Sequence, residues 1–256
     1  MRKLKLIGIG AGNPDYLTMQ AINALRQVDV IFLIDKGAEK RDLLLARNDI
    51  CARYMGTREY RVVEIRDPER DRAAAAYGPS VIDWHERRAA LYGQVLRDEL
   101  SDGECGAFLV WGDPSLYDST LRIVDRVTAN AEFEIDLEII PGITSIQALA
   151  ARHRITLNQI GGPIHVTTGR RLDDETFSAG ASVVVLLDRG CAFKALADED
   201  IDIYWGAYVG TPDEILVSGR LTEVVEEIET LRAQARARHG WIMDTYLLRK
   251  RETSSN

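Results

Sequence analysis

The sequence Val110-Trp111-Gly112-Asp113-Pro114-Ser115-Leu116-Tyr117 decides the fold, because it marks the point where a buried strand turns abruptly into a helix. Residues 106–110 are small or apolar, which predicts the buried strand. Gly112 permits unusual backbone angles and Pro114 has no N–H to donate to a neighbouring strand, so the strand ends here. Apolar residues then recur at helical spacing over residues 119–127. This arrangement predicts a cleft at the carboxyl end of a strand, where ligands bind in open α/β sheets.

The same turn has a structural alternative. Dipeptides of this kind are common in ordinary turns between a strand and a helix. In that case Asp113 only holds the turn, by accepting hydrogen bonds from nearby N–H groups. The stretch alone leaves both interpretations open.

The amino-terminal segment predicts the beginning of a βαβ fold. Residues 4–10 are typical of a strand, and Thr18 can cap a helix whose apolar face runs over residues 21–28. A second strand over residues 30–34 ends at Asp35. The intervening glycines follow the spacing G-x-G-x-G, one position away from the G-x-G-x-x-G dinucleotide fingerprint, so a nicotinamide cofactor is not favoured.

Two further segments predict elements of a ligand site. Residues 66–84 form a long, irregular excursion that begins with a charged run over residues 66–72, and loops of that length are often lids or binding loops. Helix signals return at Val81 and continue to Leu100. A strand over residues 134–140 ends in Pro141-Gly142-Ile143-Thr144-Ser145, which opens a helix capped by Thr144 or Ser145. The N–H groups and hydroxyls at such a helix start suit a carboxylate or another polar ligand group; the alternative is an ordinary N-cap.

The second half of the chain changes character. Short strands linked by turns predict a mixed sheet, followed by a helix over residues 221–237 with Thr222 as its cap. We therefore predict two α/β domains: residues 1–117 with a parallel sheet, and residues 118–256 with a mixed sheet. The last residues, 252–256, are predicted to be frayed.

Composition excludes several classes of protein. The 256 residues carry a net charge of −8, which argues against a nucleic-acid partner because phosphate contacts need an excess of Lys and Arg. No apolar run reaches the length of about 18 residues that a membrane span needs, and no signal peptide is expected. The three cysteines and four histidines lack metal-ligand or disulfide spacing. The sequence thus predicts a cytoplasmic protein without a metal site and without a membrane partner.

Four motifs in order resemble the tetrapyrrole (corrin and porphyrin) methylase family. They occupy residues 8–18, 111–114, 141–145 and 210–214. The resemblance implies two α/β domains with the active-site cleft between them, a homodimer, and S-adenosyl-L-methionine as methyl donor with S-adenosyl-L-homocysteine as product. The run over residues 111–122, together with the excursion, is most similar to the branch that methylates C1 of precorrin-5 and releases acetate, in cobalamin biosynthesis.

The resemblance also implies which residues form the donor site. They come from the motif loops and from the ends of two strands in the second half, and Ala11 stands where relatives carry a proline. The predicted donor-binding residues are Ala11, Trp111, Gly112, Asp113, Leu116, Thr144, Ser145, Leu187, Asp188 and Gly210.

The implied chemistry needs a general base and a donor for a carbonyl oxyanion. Asp35 is the first candidate base, since it ends a strand and matches an aspartate proposed as proton acceptor in relatives. Tyr117 is the candidate oxyanion donor, and His85, with its neutral-range pKa, is the third candidate. Each candidate also has a non-catalytic alternative. Asp35 would then be an ordinary turn residue at the end of a strand, and His85 an exposed helix residue.

The substrate carries many carboxylates, so an acidic enzyme must present local arginines to it. The candidate arginines in the excursion are Arg66, Arg70, Arg72, Arg87 and Arg88. The alternative for each of them is an ordinary surface charge exposed to solvent.

Other functions stay open on the sequence. They are another methyltransferase of the same fold, acting on a different corrinoid, on uroporphyrinogen or on a protein as in diphthine synthesis; a module that binds S-adenosylmethionine without turnover; and an oxidoreductase.

Overall fold

The computed structural model describes residues 1–35, 41–68, 77–131, 133–172, 180–197 and 200–250. The chain divides into two compact units, Met1–Ile143 and Thr144–Asn256. Each unit contains one five-stranded sheet with helices packed on it, which confirms the predicted α/β class.

The first unit is built on a fully parallel sheet with the strand order β3-β2-β4-β1-β5. Because all five strands are parallel, their carboxyl ends lie along the same edge. Its elements are β1 (Arg2–Gly8), α1 (Met19–Leu25), β2 (Val30–Asp35), α2 (Arg41–Tyr54), β3 (Arg61–Arg66), α3 (Tyr77–Glu99), β4 (Cys105–Val110), α4 (Thr120–Asn130) and β5 (Ile135–Ile140).

Both faces of the middle of this sheet are covered by apolar side chains, which explains the continuous apolar runs of β2 and β4, whereas the edge strands β3 and β5 are mostly exposed. Successive side chains of a strand point to opposite faces. Leu109 of β4 therefore joins a core with Leu25 of α1 and Ile50 of α2. Phe108 joins a second core with Tyr92 of α3 and residues of α4. At the start of α1, Thr18 Oγ1 accepts a hydrogen bond from Ala21 N at 3.0 Å, so the predicted cap is confirmed.

The first unit ends later than predicted. The sequence placed the boundary after residue 117, but β5 pairs with β1 from Arg2↔Ile135 to Ile7↔Ile140, so α4 and β5 belong to the first sheet. The excursion is shorter than predicted, because α3 begins at Tyr77, four residues before the helix signals of the sequence. Residues 69–76 lie outside the described part of the chain.

The second unit contains the mixed sheet, in the order β6-β7-β10-β8-β9. Only β6 and β7 are parallel, and the other neighbours are antiparallel. Its elements are α5 (Ser145–His153), β6 (Ile164–Thr168), β7 (Ser182–Leu186), β8 (Ile201–Ala207), β9 (Ile215–Arg220), α6 (Leu221–His239) and β10 (Asp244–Lys250).

The start of α6 corrects one expectation. Arg220 is the N-cap residue and Leu221 begins the helix, so Thr222 is not the cap. The reason is that β9 leads directly into α6 and Leu221 is buried, so the cap lies two residues earlier than predicted. The tail 252–256, predicted to be frayed, lies outside the described residues. Within the described ranges, no helix combines the length and apolarity needed to cross a membrane.

Candidate active site

Three of the four motifs meet at the carboxyl edge of the first sheet. Gly10, after β1, and Gly112, after β4, form an antiparallel bridge in which Gly112 N donates to Gly10 O at 2.8 Å. Both residues have positive φ angles, 79° and 70°, which glycine adopts without strain. Asp113 Oδ2 then accepts a hydrogen bond from Gly142 N, after β5, at 2.8 Å. The loops that follow β1, β4 and β5 are thereby joined.

Glycine packing makes this junction possible. A Cβ atom on Gly142 would overlap the carbonyl oxygen of Gly112, and it would lie 2.8 Å from the carbonyl carbon of Gly8. A Cβ atom on Gly8 would lie 2.6 Å from Gly142 N. The three backbones therefore approach more closely than any side chain allows. Gly8 and Gly142 were in the motifs quoted above, but only the strand order brings them into contact.

Asp113 holds the junction through both carboxylate oxygens. Oδ1 accepts hydrogen bonds from Ser115 N, at 2.8 Å, and from the Ser115 hydroxyl, while Oδ2 accepts from Gly142. Burial alone would raise the pKa of this carboxyl, but the hydrogen bonds from Ser115 and Gly142 outweigh it and hold the pKa below its ordinary value. Asp113 therefore holds its own turn through Ser115, as the structural alternative predicted, and it also links the loop after β4 to the loop after β5.

The Asp113→Asn variant is expected to lose stability in a pH-dependent way. A carboxylate whose folded pKa is depressed contributes stability above its unfolded pKa of about 3.9, and loses it as the pH falls through the folded pKa. We expect the variant to be less stable than wild type by about 1 kcal/mol at neutral pH. This difference in stability between variant and wild type should shrink below about pH 3. Urea midpoints of both proteins between neutral pH and about pH 3 test the prediction. A difference that does not change with pH would contradict the charge-based role.

The remaining predicted site residues described next lie in the loops after β1 and β4. Ala11 is buried directly after the Gly10 bridge. Trp111 packs against the core of α1 and α2, and its indole nitrogen is buried without a hydrogen-bond partner among the described residues. Leu116 N donates to Asp113 O at 3.2 Å, closing a turn. Tyr117 follows with a φ of 51° and a side chain that is 46% exposed. The structure thus places the predicted donor-binding residues Ala11, Trp111, Gly112, Asp113 and Leu116, together with Tyr117, at one edge of the first sheet.

In the second unit, Leu187, Asp188 and Gly210 follow β7 and β8, whose carboxyl ends share an edge because both strands are antiparallel to β10. Leu187 has a φ of 54° and is 63% exposed, an unusual combination for a leucine. Gly210 N donates to Glu214 Oε2 at 2.8 Å, and Glu214 also pairs with Arg152 at 2.7 Å. The last motif therefore closes its own loop through Glu214.

The Asp188 side chain is committed to the interior of the second unit. Its carboxylate accepts hydrogen bonds from Gly190 N at 2.9 Å, Ala192 N at 2.7 Å and the Tyr246 hydroxyl at 2.7 Å. The residue is only 6% exposed. Of the predicted pair at this strand end, Leu187 is the residue that faces solvent, so the prediction for donor binding there depends on Leu187.

Thr144 and Ser145 begin α5 as predicted. Thr144 is the N-cap residue, and its N–H donates to Gln147 Oε1 at 2.8 Å in a capping box. The ordinary N-cap considered as an alternative is therefore present. Whether these residues also contact a ligand stays a prediction.

The candidate catalytic residues lie at different places in the first unit. Asp35 ends β2 with an exposed side chain, and its carbonyl accepts a hydrogen bond from Asp67 N at 3.0 Å. Because β2 neighbours β4, Asp35 and Tyr117 follow adjacent strands of the sheet. His85 is a partly buried residue of α3 whose ring lies against Trp84, with 5.4 Å between ring centroids.

The arginine candidates separate into three groups. Arg66 is exposed at the end of β3, and Arg87 forms an ion pair with Asp83 on its own helix. Arg70 and Arg72 lie outside the described residues. Arg88 is only 1% exposed, so the expectation that it meets substrate carboxylates from the surface is wrong. A guanidinium at this position interacts with protein groups instead.

A surface groove of about 750 Å³ between α3 and α4 is separate from these residues. It is lined by Ala89, Gly93, Val127 and Phe133, among others, and by none of the predicted site residues. Among the described residues, no group of three or more His, Cys, Asp or Glu side chains is arranged to hold a metal ion.

Comparison with known proteins defines the class. The family model described as Tetrapyrrole (Corrin/Porphyrin) Methylases matches residues 3–225. The chain therefore belongs to the tetrapyrrole methylase family. It is 52% identical over 250 residues to a precorrin-6A synthase (deacetylating) of Sinorhizobium sp., which covers 98% of this chain and 96% of the relative.

Solved structures agree with this assignment. A cobalamin synthesis related protein of Corynebacterium diphtheriae has a TM-score of 0.81 and 41% identity, with 98% of this chain and 99% of that chain covered. The uroporphyrin-III C-methyl transferase of Thermus thermophilus, complexed with S-adenyl homocysteine, has a TM-score of 0.58 at 19% identity, with 96% of each chain covered. The second likeness shows the shared fold.

Proposed function

We propose that this protein is an S-adenosylmethionine-dependent C-methyltransferase of cobalamin biosynthesis that converts precorrin-5 to precorrin-6A with release of acetate. The observation that carries the proposal is the 52% identity to a precorrin-6A synthase (deacetylating) over nearly the whole of both chains. The joined motif loops at the carboxyl edge of the first sheet support it, because ligands of open α/β sheets bind at that edge.

The described residues fit the proposed donor. The buried indole N–H of Trp111 has no acceptor among them, and a buried donor without a partner is costly unless a ligand supplies one. Since both oxygens of Asp113 are engaged, the loop would meet the donor through Trp111 and the backbone around Gly112. Leu187, exposed at a strand end of the second unit, offers an apolar surface of the kind that nucleosides contact.

The donor, when bound, supplies a methyl group on a sulfonium that is a good leaving group. Asp35 is the proposed general base, which takes a proton from the water that attacks the acetyl carbonyl. Tyr117 is the proposed hydrogen-bond donor to the resulting oxyanion. Cleavage of the carbon–carbon bond then releases acetate and leaves the electron pair on C1, the carbon that is methylated. His85, as the third candidate, would serve if Asp35 does not.

The proposal is tested by incubating the protein with precorrin-5 and methyl-labelled S-adenosylmethionine. We expect labelled product and stoichiometric acetate, detected by mass spectrometry. Labelled product without acetate would indicate another methyltransferase of this fold. Donor binding without transfer to any tetrapyrrole would indicate a binding module, and either outcome would overturn the proposal.

The Asp35→Asn variant is expected to release acetate about 10²- to 10⁴-fold more slowly in a single turnover, because general base catalysis contributes about that much. Its affinity for S-adenosylhomocysteine, measured by calorimetry, should be unchanged. Asp49→Asn is the matched control, since Asp49 is a surface residue paired with Arg53 on α2. A normal rate in Asp35→Asn would remove Asp35 as the base and direct the same experiment to His85.

The homodimer and the cytoplasmic location implied by the resemblance belong to the same proposal. Light scattering should give twice the chain mass of 28.6 kDa. The three cysteines are buried and unpaired, which suits a reducing compartment.

A further inference from the structure

A buried arginine on α3 binds a residue of its own helix and two other segments of the first unit. Arg88 Nε pairs with Asp67 Oδ1 at 2.7 Å, just after β3. Its Nη1 donates to Ser119 Oγ at 2.8 Å, in the loop after β4, and its Nη2 donates to the Tyr92 hydroxyl at 2.6 Å on α3 itself. The Arg88 side chain is 1% exposed and the Asp67 side chain 11% exposed, so water contributes little to either charge.

The same face of α3 makes a second connection. Trp84, Arg88 and Tyr92 are spaced four residues apart, which places them on one face of the helix. The Arg88 guanidinium lies over the Trp84 ring, 4.5 Å from its centroid. Trp84 Nε1 donates to Pro68 O at 2.9 Å, next to Asp67. The segment after β3 is therefore held to α3 at two consecutive residues.

The two segments bound by Arg88 are those next to the candidate catalytic residues. Asp67 N donates to Asp35 O at 3.0 Å, so the position of Asp67 is coupled to the end of β2. Ser119 lies two residues beyond Tyr117, whose φ of 51° is uncommon outside glycine. A backbone in that region persists only where the surroundings hold it. The Arg88–Ser119 bond is one such restraint.

We propose that Arg88 is a positioning residue of the active site, whose buried guanidinium fixes the Asp35 strand end and the Tyr117 loop relative to each other. The inference rests on the proposed function, in which Asp35 is the general base and Tyr117 is the hydrogen-bond donor to the oxyanion. A buried charge is costly unless it is paired and hydrogen-bonded, and an apolar residue would fill the same space without that cost. Arg88 instead forms an ion pair with Asp67 and donates hydrogen bonds to Ser119 and Tyr92.

The decisive variant is Ser119→Ala, because it removes the connection to the Tyr117 loop and keeps the Arg88–Asp67 pair. We expect kcat to fall roughly 10- to 100-fold, as displacement of a catalytic group by about an ångström does, with KM for the donor within about twofold. Amide hydrogen exchange of residues 115–119 in the ligand-free protein should accelerate, while exchange in β1 and β4 stays unchanged. Arg88→Gln should show the same pattern more strongly.

Two further variants complete the experiment. Arg97→Gln is the matched control, since Arg97 is an exposed arginine near the end of the same helix; it should alter neither kcat nor exchange. Arg88→Lys keeps the charge but has no planar fork to reach three partners, so its kcat should lie between those of wild type and Arg88→Gln.

The outcomes separate the two proposals. If wild type fails to release acetate from precorrin-5, the proposed function fails, and the exchange data alone still report whether Arg88 orders the loop. Wild-type exchange at residues 115–119 in both Ser119→Ala and Arg88→Gln would overturn the positioning role. So would an unchanged kcat in both variants of an active enzyme.

Discussion

Replacement of Gly142 by alanine is expected to destabilise the first unit by more than about 3 kcal/mol, at or above the upper end of the usual cost of overpacking. The added Cβ atom would overlap the Gly112 carbonyl oxygen and would lie 2.8 Å from the Gly8 carbonyl carbon. Both are backbone atoms at the ends of buried strands, so neither can move away as a flexible side chain would. The loss is a large part of a typical stability of about 5–15 kcal/mol.

The same substitution should weaken ligand binding before the protein unfolds. The Asp113–Gly142 hydrogen bond holds the loop after β4 to the loop after β5, and moving Gly142 displaces that loop. We expect a lower urea midpoint and a weaker calorimetric affinity for S-adenosylhomocysteine under conditions in which the variant is folded. Gly93→Ala is the control: Gly93 lies inside α3, where a Cβ atom meets its nearest atom at 3.7 Å, so this change should be neutral or slightly stabilising. Equal midpoints for wild type and Gly142→Ala would refute the close-packed junction.

The second large effect is expected from Arg232→Met in the second unit. Arg232 Nε donates to Asp244 Oδ2 at 2.8 Å, and its Nη2 donates to the carbonyl of Asp188 at 2.6 Å. Trp205 Nε1 also donates to Asp244, at 3.2 Å. Removing one partner of a buried ion pair leaves an uncompensated charge, which costs about 3–5 kcal/mol.

The loss should depend on pH. Burial raises the pKa of the Asp244 carboxyl, against the opposing influence of Arg232 and Trp205. Without Arg232 the folded pKa rises further, so the variant binds a proton more tightly when folded than when unfolded. The loss in the free energy of unfolding, relative to wild type, is therefore smallest near the unfolded pKa of about 3.9. It grows as the pH rises towards the folded pKa. Urea midpoints at about pH 5 and pH 8 should show the larger deficit at pH 8.

Two controls accompany this measurement. Arg236→Met removes an exposed charge one turn further along α6 and should have little effect. The double variant Arg232→Met/Asp244→Leu removes both charges and should recover much of the stability, because apolar replacement of a whole buried pair is often neutral. A deficit that is equal at both pH values and persists in the double variant would show that packing, and not charge, makes Arg232 important.

Most secondary structure was predictable, because local patterns carry it. Continuous apolar runs gave the buried parallel strands, and Thr18 gave the start of α1 through its cap. The errors occurred where tertiary contacts override local signals. Residues 77–84 include Gly78 and Pro79 and look irregular in sequence, yet they belong to α3, in which Trp84 and Arg88 contact residues outside the helix.

The candidate site was predictable in its parts and not in its connections. The motif residues Trp111, Gly112 and Asp113 stand out as turn chemistry, and the structure places them at a shared sheet edge. Asp188 looked equivalent from its position after a strand, but its carboxylate is turned inward to Tyr246 and two backbone N–H groups. Nothing in the local sequence indicates which way such a side chain points.

The sequence by itself determined the class of this protein, since four short motifs in order and alternating strands and helices define the family and its two α/β units. Only the tertiary structure decided which residues meet, such as Asp113, which joins the loops after β4 and β5. It also decided that the first unit extends to Ile143 and that Arg88 is buried. The physical reason is that turns and periodicity depend on neighbours in the chain. Strand order and the satisfaction of buried charges depend instead on partners that lie far away in the sequence.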